Sequence, residues 1–238
     1  MCNFFSFITD PVNHPAEYYY FDWEYRKAHL DDDGADSQSH ICSHFELDED
    51  RCNKYEYNPL TRKFVIDQIN SERDDREAAK KWVKRLDFKT VVETLIVKPI
   101  VNPFELPEVE RVTDEQIDWL KSWASVWGAA RSPARDSVLD SVLESVGDLV
   151  GALVRASVRA SVGNFVGASV WASVRDSVGA SVWAYISTFF AIEYQHDFSS
   201  AAKLWEAGLV PAFDGTTWRL HSGTKADVVY EWTPEVQE

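Results

Sequence analysis

A tandem four-residue repeat is the feature that most restricts how this chain folds. Thirteen consecutive units run from Asp136 to Ser187, with patterns such as D-S-V-L, E-S-V-G and A-S-V-W. The third position is Val in every unit except the last, where it is Ile186. The second position is mostly Ser, the first is Ala, Asp, Glu or Asn, and the fourth varies among Leu, Gly, Arg, Trp and Ser.

The variation at each position predicts which residues face the interior. Protein interiors are close-packed, so even one added methylene group disturbs the packing. A position that accepts Trp, Gly and Arg is therefore expected to face solvent. Positions two and three are predicted to point inward together, and positions one and four outward.

This inward pair favours an α-helix over a β-strand. Neighbouring residues on a strand point to opposite faces of the sheet. Adjacent residues on an α-helix lie about 100° apart and so share one face. The repeat is therefore predicted to be helical.

One straight helix cannot keep the inward pair against a single core. Four residues exceed a 3.6-residue turn, so the apolar stripe drifts by about 40° per unit. We therefore expect several shorter helices, with breaks at Gly147–Gly151 and Gly163–Asn164. A narrow solenoid is the alternative, because Ser, Val and Gly are poor helix formers.

Length and charge restrict the class of protein and its partners. A chain of 238 residues is long enough for one or two domains with a hydrophobic core. Its net charge of −15 opposes nonspecific attraction to nucleic acid and to anionic membranes, so we expect neither as a partner.

The sequence predicts a cytoplasmic protein. Met1 to Asp10 lacks the basic start and the cleavage site of a signal peptide, and three cysteines fit a reducing compartment. The uncharged run Ser177–Ile192 has sixteen residues, fewer than the roughly 20 that a membrane-spanning helix needs. No membrane segment is therefore predicted.

The first third of the chain is predicted to be mixed α/β. Asn3–Thr9 and Glu17–Trp23 are typical of two antiparallel strands. Ser37–Phe45 is expected to form a short helix. Lys54–Asn58 and Lys63–Asp67 are expected to form a hairpin.

Helices are predicted around the repeat. Ser71 is expected to cap a helix that presents Ala78, Ala79, Trp82, Val83 and Leu86 on one face. A second helix starts at Asp87, presents Phe88, Val91, Val92, Leu95 and Ile96, and stops before Pro99. After a proline-rich connector, Thr113 and Gln116 are predicted to form the capping box of a third helix.

The last part of the chain is predicted to hold one helix and one hairpin. The helix is capped by Ser199 or Ser200 and ends at Gly208, and the hairpin pairs Thr217–His221 with Ala226–Trp232. The predicted fold class is therefore α+β, in four segments: residues 1–98, the connector 99–112, the helix and repeat 113–190, and the helix and hairpin 191–238.

Cys2 is the first candidate for chemistry. If Met1 is removed, Cys2 carries a thiol and the terminal amine on one residue, a pair that serves as nucleophile and base. The start M-C followed by a predicted strand resembles the N-terminal-nucleophile hydrolases and the glutamine amidotransferases, which implies hydrolysis with Cys2 as nucleophile. Asn3 replaces the Gly that follows the cysteine in the amidotransferases. The alternative is an ordinary cysteine at the edge of a strand.

A possible zinc site is the second candidate. His40, Cys42, His44 and Cys52 place four ligand types within thirteen residues. On a helix His40 and His44 share a face and Cys42 faces away, so zinc would take the two histidines, or Cys42 with a distant partner, more easily than all four. The alternative is a surface helix whose Cys42 packs inward. No other cofactor is predicted.

The C-terminal hairpin contains the third candidate. Asp214, Arg219 and His221 are residue types that line catalytic clefts. The alternative is structural: Asp214-Gly215 forms a turn, and Arg219 and His221 share one face of a strand.

The repeat and tail together resemble a group of uncharacterised viral and environmental proteins. The group has tandem S-V units followed by G-L-V-P-x-F-D-G-x-x-W-R-L-H, which match Ser137–Val182 and Gly208–His221 here. The resemblance implies a viral or mobile-element source and carries no function.

The sequence favours a non-enzymatic scaffold or protein-interaction protein with a protein partner. It has no glycine-rich phosphate loop, no G-x-S-x-G elbow and no H-E-x-x-H motif. A Cys2 hydrolase and a zinc-stabilised binding module are the alternatives.

Overall fold

The computed structural model describes residues 5–29, 37–129, 142, 151, 154–158 and 168–234. These residues form helices and antiparallel sheets, and the predicted α+β class is confirmed. They divide between two compact units. The first unit takes residues 5–29, 37–99, 151 and 154–157, and the second takes residues 100–129, 142, 158 and 168–234.

The first unit is built on a four-stranded antiparallel sheet. Its strands are β1 (Phe5–Asp10), β2 (His14–Tyr19), β3 (Asn53–Asn58) and β4 (Lys63–Ile69), in the order β2-β1-β3-β4. The predicted pairing of the first two strands and the predicted hairpin are confirmed.

The second strand ends earlier than predicted. The chain leaves the sheet after Tyr19, and helix α1 (Trp23–Ala28) begins where the strand was expected to finish. Asp22 is the physical reason, because its carboxylate accepts the backbone N–H of Tyr25 at 3.0 Å and so caps the helix.

Alternation along the strands gives the sheet two buried faces. Phe5 and Phe7 lie opposite Tyr57 and Tyr55 in the register, so these four rings share one face. Ile8 points to the other face and packs with Phe21 and the buried residues of helix α2 (Gln38–His44). Helix α2 is confirmed with Ser37 as its N-cap.

Helix α3 (Arg76–Val83) covers the aromatic face of the sheet, and it starts later than predicted. Trp82 packs on Phe7 with ring centroids 4.9 Å apart. Ser71 does not cap this helix, and Ala78 is exposed, contrary to expectation. The helix starts after Asp75, whose carboxylate makes no capping bond because three other side chains bind it.

Asp75 joins three elements of the first unit. Its Oδ1 accepts hydrogen bonds from Thr9 Oγ1 at 3.1 Å, Asn53 Nδ2 at 2.8 Å and Tyr55 Oη at 2.6 Å. The donors belong to β1 and β3, and Asp75 immediately precedes α3. One carboxylate therefore fixes the start of the helix against two central strands.

The helix predicted from Asp87 to Pro99 is wrong. Only a single 3₁₀ turn forms, from Phe88 to Thr90. The β-branched residues that follow, such as Val91 and Val92, lose side-chain freedom in a helix and favour other conformations. Of the apolar residues predicted on its face, only Ile96 is exposed and the others are buried.

The second unit begins with the connector and helix α4 (Asp114–Ala129). The connector contains a 3₁₀ turn, Pro103–Glu105. The predicted capping box is confirmed: the Thr113 N–H donates to Gln116 Oε1 at 2.9 Å, and the Gln116 N–H donates to Thr113 Oγ1 at 3.3 Å.

Two helices and a three-stranded antiparallel sheet complete the second unit. The elements are α5 (Ala168–Ser187), α6 (Ser199–Glu206), β5 (Val210–Phe213), β6 (Trp218–Ser222) and β7 (Asp227–Trp232), with strand order β5-β6-β7. The predicted hairpin is confirmed, and the predicted helix is present. Its predicted cap is wrong: Ser199 is already helical and its N–H donates to the Asp197 carboxylate at 2.8 Å, while the N-cap Phe198 makes no side-chain capping bond. Strand β5 was not predicted.

The described part of the repeat is helical, at residues 154–158 and in α5. In the first stretch the predicted burial is confirmed, because Val154, Ser157 and Val158 are buried, Ala156 is exposed and Arg155 is half-buried. Apart from Gly151, which is helical, the predicted breaks at Gly147–Gly151 and Gly163–Asn164 lie outside the described residues.

The predicted burial pattern is wrong at the end of α5. Ala184 occupies position one and Trp183 position four, and both are buried. Helix α5 packs against both α6 and β5. Ser181 Oγ donates to the Pro211 carbonyl at 3.3 Å on one side, and Tyr185 stacks on Trp205 at 5.3 Å on another. A helix with neighbours on several sides buries all four positions.

Tyr185 and Trp205 also hold the connector in the second unit. The Val101 N–H donates to Tyr185 Oη at 2.8 Å, and Trp205 Nε1 donates to the Val101 carbonyl at 3.0 Å. Both polar groups of the Val101 backbone therefore have hydrogen-bond partners on two stacked rings.

Along the described residues, no helix is long and apolar enough to cross a membrane.

Position one of the repeat gives a matched test of the burial pattern. We expect Ala184→Asp to lower the free energy of unfolding by about 3 kcal/mol or more, because it buries a carboxylate without a partner. Ala156→Asp places the same residue at an exposed position one and is expected to change stability by less than about 0.5 kcal/mol. Urea denaturation of both variants checks this, and equal losses would contradict it.

The Asp75 network gives a second test. Asp75→Ala leaves Tyr55 Oη and Thr9 Oγ1 without this acceptor and leaves Asn53 Nδ2 with only the Arg73 carbonyl, so we expect a loss of about 3 kcal/mol in unfolding free energy. Asp75→Asn keeps one acceptor oxygen and is expected to lose less than half as much. Chemical denaturation measures both, and an Asn variant as unstable as the Ala variant would show that the acceptor is not what matters.

Candidate functional site

The predicted site residues take separate positions in the structure. Cys2 lies outside the described residues, so the hydrolase hypothesis stays a prediction. Cys42 and Cys52 come together in the core of the first unit, where they pack with Ile8, Phe21 and Ile41. The sequence grouped both thiols as possible zinc ligands but did not predict that they share a buried apolar cluster.

Burial determines the chemistry of this thiol pair. Removal from water raises the pKa of Cys42 and raises the pKa of Cys52 to about 12. The thiolate is the form that attacks substrates and binds metals. In this arrangement both groups are protonated at neutral pH and act as small apolar side chains.

The two histidines of the zinc hypothesis contact aromatic rings. His40 Nε2 hydrogen-bonds to Tyr25 Oη at 2.9 Å, and His44 packs edge-on against Phe21 and Tyr25 at 5.2 and 5.0 Å. Tyr25 is itself stacked on Phe21 at 3.9 Å. Within the described ranges, no three His, Cys, Asp or Glu side chains converge on a metal-sized site. The zinc hypothesis stays a prediction.

The third candidate set is divided between an exposed ion pair and a buried ring. Asp214 accepts the backbone N–H groups of Thr217 and Thr216 and pairs with the Arg219 guanidinium, and these bonds hold the pKa of its carboxyl well below its usual range. Arg219 Nε also donates to Glu231 at 2.6 Å. The turn interpretation therefore describes Asp214 correctly.

His221 is buried and has a structural partner. Its Nδ1 lies 2.9 Å from the Ala226 carbonyl, across the turn of the hairpin. Burial lowers the pKa of this imidazole, so it is neutral at physiological pH. Its bond to the backbone closes the turn between β6 and β7.

A basic surface at the end of α3 is the strongest candidate for an interaction site. We use the name basic surface for Lys80, Lys81, Lys84, Arg85 and Lys89. They are five of the ten residues 80–89, where Asp87 is the only acid, although the whole chain carries a net charge of −15. All are exposed except Lys80, which is half-buried.

The cations of the basic surface have no carboxylate partner among the residues that the structure describes. Asp87 is used elsewhere, because its side chain accepts the Lys89 backbone N–H at 3.1 Å and caps the 3₁₀ turn. Arg76, one turn earlier, is the nearest ion-paired cation, and it binds Asp74. The charge of the basic surface is therefore not neutralised within the described fold.

An aromatic pair adjoins these cations. Trp82 lies between Lys81 and Val83 in the chain, is half-buried, and stacks on Tyr18 with centroids 4.1 Å apart and planes at 2°. Ala79 and Val83 are fully buried and fix the opposite side of the helix. Trp, Tyr and Arg are enriched at protein interfaces, and Trp82, Tyr18 and Arg85 are of these types.

Sequence reasoning missed the basic surface. It treated Ala78 to Leu86 as a source of apolar contacts and did not follow the charges of the same stretch. The signal was present, because K-K-W-V-K-R is a concentrated basic segment in an acidic chain.

No protein-family model, no curated protein and no solved structure matches this chain. The function is therefore inferred from the geometry and charges of the described residues.

The buried thiol pair gives a test of its structural role. We expect Cys42 and Cys52 to react with iodoacetamide at pH 7.5 at least about a hundredfold more slowly in the folded protein than in urea, because burial raises both pKa values and blocks access. Peptide mass spectrometry measures labelling at each site separately. Rapid labelling of the folded protein would contradict the burial of this pair.

Proposed function

We propose that this protein is a non-enzymatic interaction protein whose basic surface binds an acidic surface of a protein partner. The observation that carries the proposal is the group of exposed, unneutralised cations beside the Trp82–Tyr18 stack in an otherwise acidic chain. The described residues of the predicted catalytic and zinc sites have structural roles in the fold. The basic surface is therefore the main candidate for a functional site.

Helix electrostatics accounts for only part of the basic surface. Cations in the last turn of a helix interact favourably with its dipole, which explains Lys80 and Lys81. Arg85 and Lys89 lie beyond the end of α3, where the dipole gives little stabilisation. A different role is needed for these two residues.

Clustering the cations also has a cost for the fold. Four cations lie within residues 80–85 with no acid among them, and like charges this close in the chain repel one another. An acidic partner would remove that repulsion. The charges are thus unfavourable in the isolated protein and favourable in a complex.

A protein partner fits the surface better than a nucleic acid. Nucleic-acid affinity comes mainly from phosphate contacts and is opposed here by the acidic remainder of the chain. A protein interface adds apolar contact, for which the half-buried Trp82 and Tyr18 are suited. We therefore place an acidic protein surface, with some apolar character, at this site.

The proposal is tested by the binding of a fluorescent Glu-rich peptide. We expect Lys81→Glu/Lys84→Glu/Arg85→Glu to bind it at least about tenfold more weakly than the natural protein, because three attractive charges become repulsive. Fluorescence anisotropy at about 0.1 M salt, where surface charges still interact over about 10 Å, measures the affinity.

A matched control separates local charge from net charge. Lys27→Glu/Lys63→Glu/Lys225→Glu changes the net charge by the same amount at exposed positions outside residues 76–89, and we expect its affinity to stay within about twofold. If both triple variants weaken equally, the basic surface is not the site. Tighter binding of a single-stranded oligonucleotide of equal charge would overturn the choice of a protein partner.

A further inference from the structure

The second unit carries a surface of opposite charge. We use the name acidic segment for residues 105–118, which contain six acids and one cation, Arg111, and so have a net charge of −5. All six acidic residues are exposed: Glu105, Glu108, Glu110, Asp114, Glu115 and Asp118. The basic surface, counted over residues 80–89, has a net charge of +4.

Local structure accounts for only two of these acids. Asp114 and Glu115 lie in the first turn of α4, where negative charge interacts favourably with the helix dipole. Glu105, Glu108 and Glu110 precede the helix, and Asp118 lies in its second turn. The fold of the second unit does not require those four charges.

The acidic segment is held in one conformation. Phe104 is buried just before it, and the Phe104 N–H donates to Asn102 Oδ1 at 3.2 Å. The Val109 N–H donates to Ser222 Oγ at 3.0 Å. Gly223 allows the two segments to approach this closely, because a Cβ at that position would lie 3.1 Å from Glu108 Cγ. A fixed segment loses little entropy when it binds.

We propose that the acidic partner of the basic surface is a second copy of this chain, which presents its acidic segment. This inference rests on the proposed function above. The charges of +4 and −5 nearly cancel, and every copy carries both surfaces. Complementary charge on a rigid support fixes the orientation in which two copies meet.

Screening decides whether this contact outweighs the repulsion between two acidic chains. At physiological ionic strength the Debye length is about 8 Å, so charges spread over a whole protein surface repel weakly at larger separations. Facing charges within about 4–6 Å are screened far less. The local attraction therefore persists while the repulsion of the net charge of −15 is damped.

The experiment uses two charge-reversal variants of the full chain. One is the basic-surface variant, Lys81→Glu/Lys84→Glu/Arg85→Glu. The other is Glu105→Lys/Glu110→Lys/Asp118→Lys, which keeps Asp114 and Glu115 at the helix start. Light scattering after size-exclusion chromatography, over a range of concentrations at about 0.15 M salt, gives the mass of each sample.

We expect the natural protein to associate and each variant alone to be monomeric. The equimolar mixture of the two variants is expected to associate again, because each reversed surface then faces a complementary one. Association of the natural protein is expected to disappear at 1 M salt, where the Debye length falls to about 3 Å. Thermal unfolding of both variants confirms that they are folded.

The outcomes separate this inference from the function on which it rests. A monomeric natural protein, or a mixture that stays monomeric, overturns the second copy as partner. If the Glu-rich peptide still binds in that case, the proposed function stands with another acidic protein as partner. If neither the peptide nor a second copy binds, both proposals fail.

Discussion

The mismatch between a four-residue repeat and a 3.6-residue helical turn governs how the middle of this chain packs. The valine stripe of such a helix rotates by about 40° per unit, so no single flat core can take all of it. At residues 154–158 only positions two and three are buried, as one-sided packing requires. At the end of α5 the helix has neighbours on several sides, and positions one and four are buried as well. The end of α5 thus accommodates the rotating stripe by packing against both α6 and β5.

Sequence signals predicted the elements whose ends are decided locally. The capping box of Thr113 and Gln116, the short helix at Ser37–Phe45 and the two hairpins are determined by neighbouring residues, and each is present. Strand β5 was not predicted because it is short and contains Pro211, which is tolerated at the edge of a sheet but lowers strand propensity. The start of α3 was misplaced because Asp75 binds side chains from distant strands, and no local pattern reveals such contacts.

The candidate site was less predictable, because burial determines the chemistry of a polar side chain. Cys42 and His40 are potential ligands by residue type, yet one is enclosed among apolar residues and the other hydrogen-bonds to Tyr25. In the sequence the basic surface is visible only as a run of charged residues. Only the structure shows which cations stay exposed and which acids nearby are used by the fold.

Four carboxylates close in sequence to the basic surface have roles inside the first unit. Asp74 pairs with Arg76, Asp75 accepts three side-chain hydrogen bonds, and Asp87 caps a 3₁₀ turn. Glu77 lies in the first turn of α3, where the helix dipole stabilises it. These four acids, which lie close to the cations in sequence, therefore have structural roles of their own. Because the fold uses these acids, it leaves the cations of the basic surface available to a partner.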